Sequence, residues 1–137
     1  MRRIATLFVL LTLLLLSGCA TQKRNDTLNN TLRAYASTVR WGDFQNAVMF
    51  IEPKERAAHP PSEMVLARLK LVRVSQYDEG SGPVAFGPDE VQQTVQINLI
   101  NVNSQTERTI IDHQTWHWDE VTKHWWLTSG LPDLNQH

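Results

Sequence analysis

The chain is poor in the residues from which chemistry is most often read. It has one cysteine, Cys19, in 137 residues. An internal disulfide is therefore impossible, and the fold must be held by its core. If Cys19 is consumed by a modification, no catalytic thiol remains. An excess of charge is missing too: 13 basic and 14 acidic residues leave a net charge of −1. A mildly acidic chain has no long-range field to gather nucleic acid, so no nucleic-acid partner is expected. There is no Gly-x-Ser-x-Gly elbow. Gly80-Ser81-Gly82 lacks the lysine and the helix of a phosphate loop. No motif implies a cofactor. At this length one compact domain is expected, since domains commonly run to about 100–150 residues.

The only long apolar run is Ile4–Leu16, preceded by Arg2 and Arg3. It is too short for a permanent span of about 30 Å of hydrocarbon, which needs roughly 20 residues. It fits the apolar part of an export signal, and the two arginines fit its positive start. The run ends in Leu16-Ser17-Gly18-Cys19. That tetrad resembles the lipobox of bacterial lipoproteins: a leucine, a small residue, a glycine or alanine, and the cysteine. The resemblance implies cleavage between Gly18 and Cys19, a diacylglycerol on the Cys19 thiol and an acyl chain on the new amine. It implies a signal over residues 1–18, a lipidated tether over 19–26 and one periplasmic domain over 27–137. In enteric-type bacteria an Asp after the cysteine retains lipoproteins in the inner membrane. Ala20 stands there instead, which implies the outer membrane.

Beyond the tether, Leu28, Leu32, Tyr35, Ala36 and Val39 share one helical face, which predicts a helix over 27–40 capped by Asp26 or Thr27. Trp41-Gly42 ends it, with Gly42 as a left-handed cap. Asp43 caps a second helix carrying Phe44, Ala47, Val48 and Ile51, and Pro53 ends that one. Residues 54–62 read as a linker with about one helical turn. Four strands are predicted next: Leu66–Tyr77, imperfectly alternating and so expected to bulge; Val91–Val102; Arg108–Trp118; and His124–Ser129. Residues 78–89, with three glycines and two prolines, form a long loop. The expected fold is α+β, with two N-terminal helices packed on a curved antiparallel sheet of about four strands. Trp41-Gly42-Asp43-Phe44, Ala47, and a closing hairpin with Trp116-His117-Trp118, Trp125-Trp126-Leu127 and then Pro132 resemble the nuclear-transport-factor-2-like, or cystatin-like, group. That fold hosts enzymes, binding modules and scaffolds alike, so it does not choose among them.

The closing hairpin carries the candidate chemistry. Trp116 and Trp118 share a face with Ile110, Asp112 and Gln114, whereas Trp125 and Trp126 point to opposite faces. One reading is an indole-lined cone with Asp112 inside it, as in a small-molecule-binding protein. Isomerases and dehydratases of the resembling group use a pocket Asp. The other reading is cross-strand aromatic packing, worth about 0.2–1 kcal/mol per pair. His113 faces away from Asp112, so the two form no dyad. His113 and His117 lie about 13 Å apart along their strand, and with His124 across the turn they form no expected metal site. Arg68, Lys70 and Arg73 place positive charge on the first predicted strand. Its edge is the first candidate for a partner surface. Together these features predict a non-enzymatic binding or assembly module. Its partners would be the membrane, through Cys19, and an envelope protein contacted through Trp116, Trp118, Trp125 and Trp126 or Asp112.

Overall fold

The computed structural model describes the backbone of residues 2–136 and the side chains of residues 18–136. The apolar run Ile4–Leu16 lies outside the described side chains. Among the described residues no helix is long and apolar enough to cross a membrane.

The order of elements is α1 (Arg2–Arg40), α2 (Phe44–Ala47), a 3-10 turn (Val48–Phe50), α3 (Pro53–Ala58), α4 (Glu63–Leu69), β1 (Val72–Asp78), β2 (Val84–Ala85), β3 (Glu90–Asn101), β4 (Glu107–Asp119) and β5 (His124–Leu127). The fold is α+β, as the sequence predicts: helices followed by a curled antiparallel sheet in the order β1-β3-β4-β5, with β2 beside the start of β3.

The face predicted for α1 is the one it buries, since Leu28, Leu32, Tyr35, Ala36 and Val39 all lie in the core. The helix ends as expected. Gly42 has φ 71°, its amide bonds Val39 O, and the Asp43 amide reaches back to Thr38 O. These are the paired bonds of a Schellman ending, which calls for a residue tolerant of positive φ. Asp43 then caps α2 by accepting from the Asn46 amide at 3.2 Å.

Three local expectations are corrected. Residues 19–26, expected as a loose tether, continue α1 as regular helix. Asp26 and Thr27 are therefore interior to the helix and not caps. Asp26 accepts from Gln22 and Thr27 donates to the Lys23 carbonyl, each one turn back. The predicted strand Leu66–Tyr77 divides: Ser62 accepts from the Val65 amide and caps a helix that ends at Leu69, so the strand begins only at Val72. The irregular spacing of its apolar residues was helical in origin, with Leu66 and Leu69 one turn apart. Arg68 thus leaves the strand for α4 and Lys70 becomes that helix's C-cap, with only Arg73 remaining on β1. The expected bulge is present, between Val74 and Gln76.

β3 and β4 form the centre of the sheet, paired from Glu90↔His117 to Ile100↔Glu107. Their inner rows are Val91, Gln93, Val95, Ile97 and Leu99 on one strand and Ile110, Asp112, Gln114, Trp116 and Trp118 on the other, all buried. With α1 laid across them, these rows form one continuous core.

Candidate functional site

The register of β4 and β5 sets Trp116 opposite Leu127 and Trp118 opposite Trp125. Trp116 is fully enclosed and stands edge-on to Tyr35 of α1 at 5.2 Å between centroids. Tyr35 in turn meets Phe50 edge-on at 5.4 Å. Trp118 and Trp125 pack at 5.4 Å. The inner face of the hairpin is thus filled by its own indoles and by α1. Trp126 lies on the other face, where it stacks on His124 at 4.2 Å. The structure brings Trp116, Trp118 and Trp125 together and leaves Trp126 apart, as the alternation of strand side chains requires.

Asp112 lies deep in the core at 6% exposure, within a chain of polar side chains. The Gln114 carboxamide donates to Asp112 Oδ2 at 2.8 Å and to the Tyr77 hydroxyl at 3.0 Å. It accepts from Trp116 Nε1 at 3.2 Å. Gln114 therefore joins an acid, a phenol and an indole from two strands, satisfying groups whose burial would otherwise be costly. Burial pushes the Asp112 carboxyl above its ordinary value, against the opposing bond from Gln114 and the nearby His113. Burial likewise raises the phenols of Tyr35 and Tyr77. Tyr35 Oη and Gln93 Oε1 are buried with no hydrogen-bond partner among the described residues.

The raised Asp112 sets a pH dependence. A carboxyl whose proton is held more tightly in the folded chain contributes stability below its unfolded value, near 3.8. That contribution is lost as pH rises through the folded value. Asp112→Asn keeps an acceptor for Gln114 and cannot ionise. The variant should match the parent near pH 3 and become progressively more stable toward neutrality, by about 1.4 kcal/mol for each tenfold tightening of proton binding. Urea unfolding across that range measures it, and a constant difference at every pH would refute the assignment.

No pattern in the sequence marks the residue that closes the hairpin end. Arg24, from the segment expected to be a tether, lies over the Trp118 and Trp125 rings at 5.3 and 5.0 Å. Its guanidinium donates to Asp89 at 3.0 Å and to the Pro88 carbonyl at 2.6 Å. Trp125 Nε1 donates to the Arg24 carbonyl at 3.2 Å. Trp118 Nε1 donates to Glu120 at 2.7 Å, and Lys123 pairs with Glu120. A cation held over two indole faces and anchored by a carboxylate is a strong local clamp.

Comparison of the chain with family models, with curated proteins and with solved structures finds no match.

The surface clefts include one of about 450 Å³ beside Arg33, Arg40 and Trp41, one of about 350 Å³ beside Arg40, Val74 and Tyr77, one of about 320 Å³ between His59 and Thr128, and one of about 290 Å³ between Ala20, Arg24, Trp118 and Lys123. Asp112 lines none of them. The histidines are separately engaged: His113 with Thr94 at 3.2 Å, and His117 with Glu52 at 3.3 Å. Burial lowers the His124 imidazole, partly offset by Asp119. Among the described residues no three His, Cys, Asp or Glu side chains converge as a metal site would need.

β4 also carries an open edge. It pairs with β3 along its length, but with β5 only from Trp116 to Asp119. On that side Thr115 is satisfied by Thr128 and Ser129. Further along, the Gln136 carboxamide bonds both backbone groups of Ile111, accepting from its amide at 2.9 Å and donating to its carbonyl at 2.8 Å. A side-chain amide there imitates one residue of a neighbouring strand.

Proposed function

We propose that this chain is an envelope lipoprotein, anchored through Cys19 to the outer membrane, whose α+β domain faces the periplasm as a non-enzymatic binding or assembly module. The lipobox tetrad supports the anchor, and membrane confinement would raise the domain's effective concentration toward neighbouring envelope proteins. The observation that carries the module reading is the edge of β4 from Glu107 to His113, which among the described residues has no neighbouring strand and is bridged only at Ile111 by Gln136. Backbone groups in such an edge accept an added strand. The alternative, a pocket protein or isomerase-like enzyme using Asp112, has less support, because that carboxylate is tied to Gln114 inside the core. The inner tryptophans are likewise occupied by the core, so the partner surface moves from them to the strand edge.

A photo-crosslinking residue at Thr109 or His113 of the membrane-bound protein in intact cells should capture a neighbour that the same residue at Asn103 does not. Thr109→Pro removes an outward-facing amide that Gln136 leaves open, and with the probe at His113 it should abolish that capture while leaving the fold intact. Equal capture at all three positions, or capture unaffected by the proline, would reject the strand edge as the contact.

A further inference from the structure

We propose that the end of the domain nearest Cys19 rests directly on the bilayer surface, with Phe86 and Val121 set among the lipid headgroups. The inference builds on the lipid-anchor reading of Cys19 and adds an orientation to it.

Two loops present these side chains. Val121, 92% exposed, occupies the turn between β4 and β5, and Phe86, 61% exposed, follows β2. Asp119 shapes the first loop by accepting from the amides of Val121 and Thr122 and from the Thr122 hydroxyl. The turn thus holds a large aliphatic residue outward where a polar one would serve as well. The Phe86 amide bonds the Glu90 carbonyl, which fixes the second loop at the same end of the sheet, because Glu90 lies opposite His117 near the end of β4.

Arg24 links both loops to the anchor. It holds the Phe86 loop through Pro88 and Asp89 and the hairpin through Trp118 and Trp125. Cys19 lies five residues earlier in the same helix, about 7.5 Å along its axis. Ala20, the next residue, lines the same cleft as Glu120 and Lys123 at the hairpin tip. A lipid on Cys19 therefore has no flexible spacer. It brings this end of the domain to the membrane plane and holds it there.

Charge does not select a different occupant. At this end Arg24 pairs with Asp89 and Lys123 with Glu120, and the other charged residues there, Lys23, Glu90 and Asp119, are of both signs. A surface of mixed charge around two projecting apolar tips suits a headgroup layer, where apolar side chains enter and charged ones remain hydrated.

The test uses the processed lipoprotein in vesicles of phosphatidylethanolamine and phosphatidylglycerol. Cys19 is the sole native cysteine, so once it is acylated an introduced thiol is the only free one. Phe86→Cys, Val121→Cys and, at the opposite end of the sheet, Asn103→Cys each receive an environment-sensitive nitrobenzoxadiazole label. Emission from positions 86 and 121 should shift to the blue and be quenched by nitroxide-bearing lipids, with neither change at 103. Labels at 86 and 121 that behave like 103 in a protein floating with the vesicles would overturn the orientation and leave the anchor standing. A blue shift without quenching by lipid-borne nitroxides would assign the tips to a protein contact and overturn it as well. A protein that does not float with the vesicles would overturn the anchor and the orientation together.

Discussion

Trp116→Ala is expected to destabilise the fold by about 3–5 kcal/mol, in the range for truncating a fully buried tryptophan. Trp116 is wholly inaccessible, supports Tyr35 edge-on and donates to Gln114. Its loss opens a cavity between α1 and the sheet and removes a donor from the polar chain that holds Asp112. Against a total stability of roughly 5–15 kcal/mol, that is a large fraction. Thermal unfolding of the processed protein in detergent micelles should fall by roughly 10–20 °C. The urea midpoint should fall with little change in slope, because the surface exposed on unfolding hardly changes. Trp126→Ala is the comparison. That indole lies on the outer face against His124, and its loss should cost less than about 1 kcal/mol. Equal losses from the two variants would refute the assignment of the two indoles to opposite faces.

Under the proposed anchoring, Cys19→Ser is expected to abolish lipidation outright. Serine is nearly the same size but supplies no thiolate, so incorporation of labelled fatty acid should fall to background and the chain should keep residues 1–18. Each buried methylene of an acyl chain contributes about 0.8 kcal/mol to membrane binding, so several chains together change the partition by many orders of magnitude. Stability of the domain should be unchanged, because Cys19 is exposed. Mass spectrometry of the native N-terminal peptide provides the direct reading. A peptide that begins elsewhere, or one that carries an unmodified sulfhydryl at Cys19, would sink the anchor.

The parts of the structure that could be read in advance are those where a periodic pattern has one physical meaning. Leu28, Leu32, Tyr35, Ala36 and Val39 recur at a spacing only a helix brings to one face, and they are the residues α1 buries. Val91 to Leu99 and Ile110 to Trp118 alternate, and both strands follow. Gly42 marked its helix end because little but glycine accepts that backbone angle cheaply. The failures are equally physical. Residues 19–26 have no apolar stripe, so no amphipathic pattern marks a helix there; Arg24, clamped by two indoles and by Pro88 and Asp89, 64 and 65 residues later in the chain, holds it in place. The seven-residue helix Glu63–Leu69 is too short for its pattern to be told from a strand. Alternation placed Asp112 and Gln114 inward, but not the bonds that Gln114 makes.

The sequence by itself determined the Leu16-Ser17-Gly18-Cys19 tetrad on which the proposed anchor rests, the inward and outward rows of the hairpin, and the absence of an internal disulfide, because each depends on residue type and short-range spacing. Tertiary structure alone decided that the indoles are sealed by α1, that Asp112 is held within the core, that Gln136 bridges an otherwise unpaired edge and that Arg24 fastens α1 to the hairpin. Those outcomes join residues far apart along the chain, and their energies exist only once the folded backbone has brought the partners within reach.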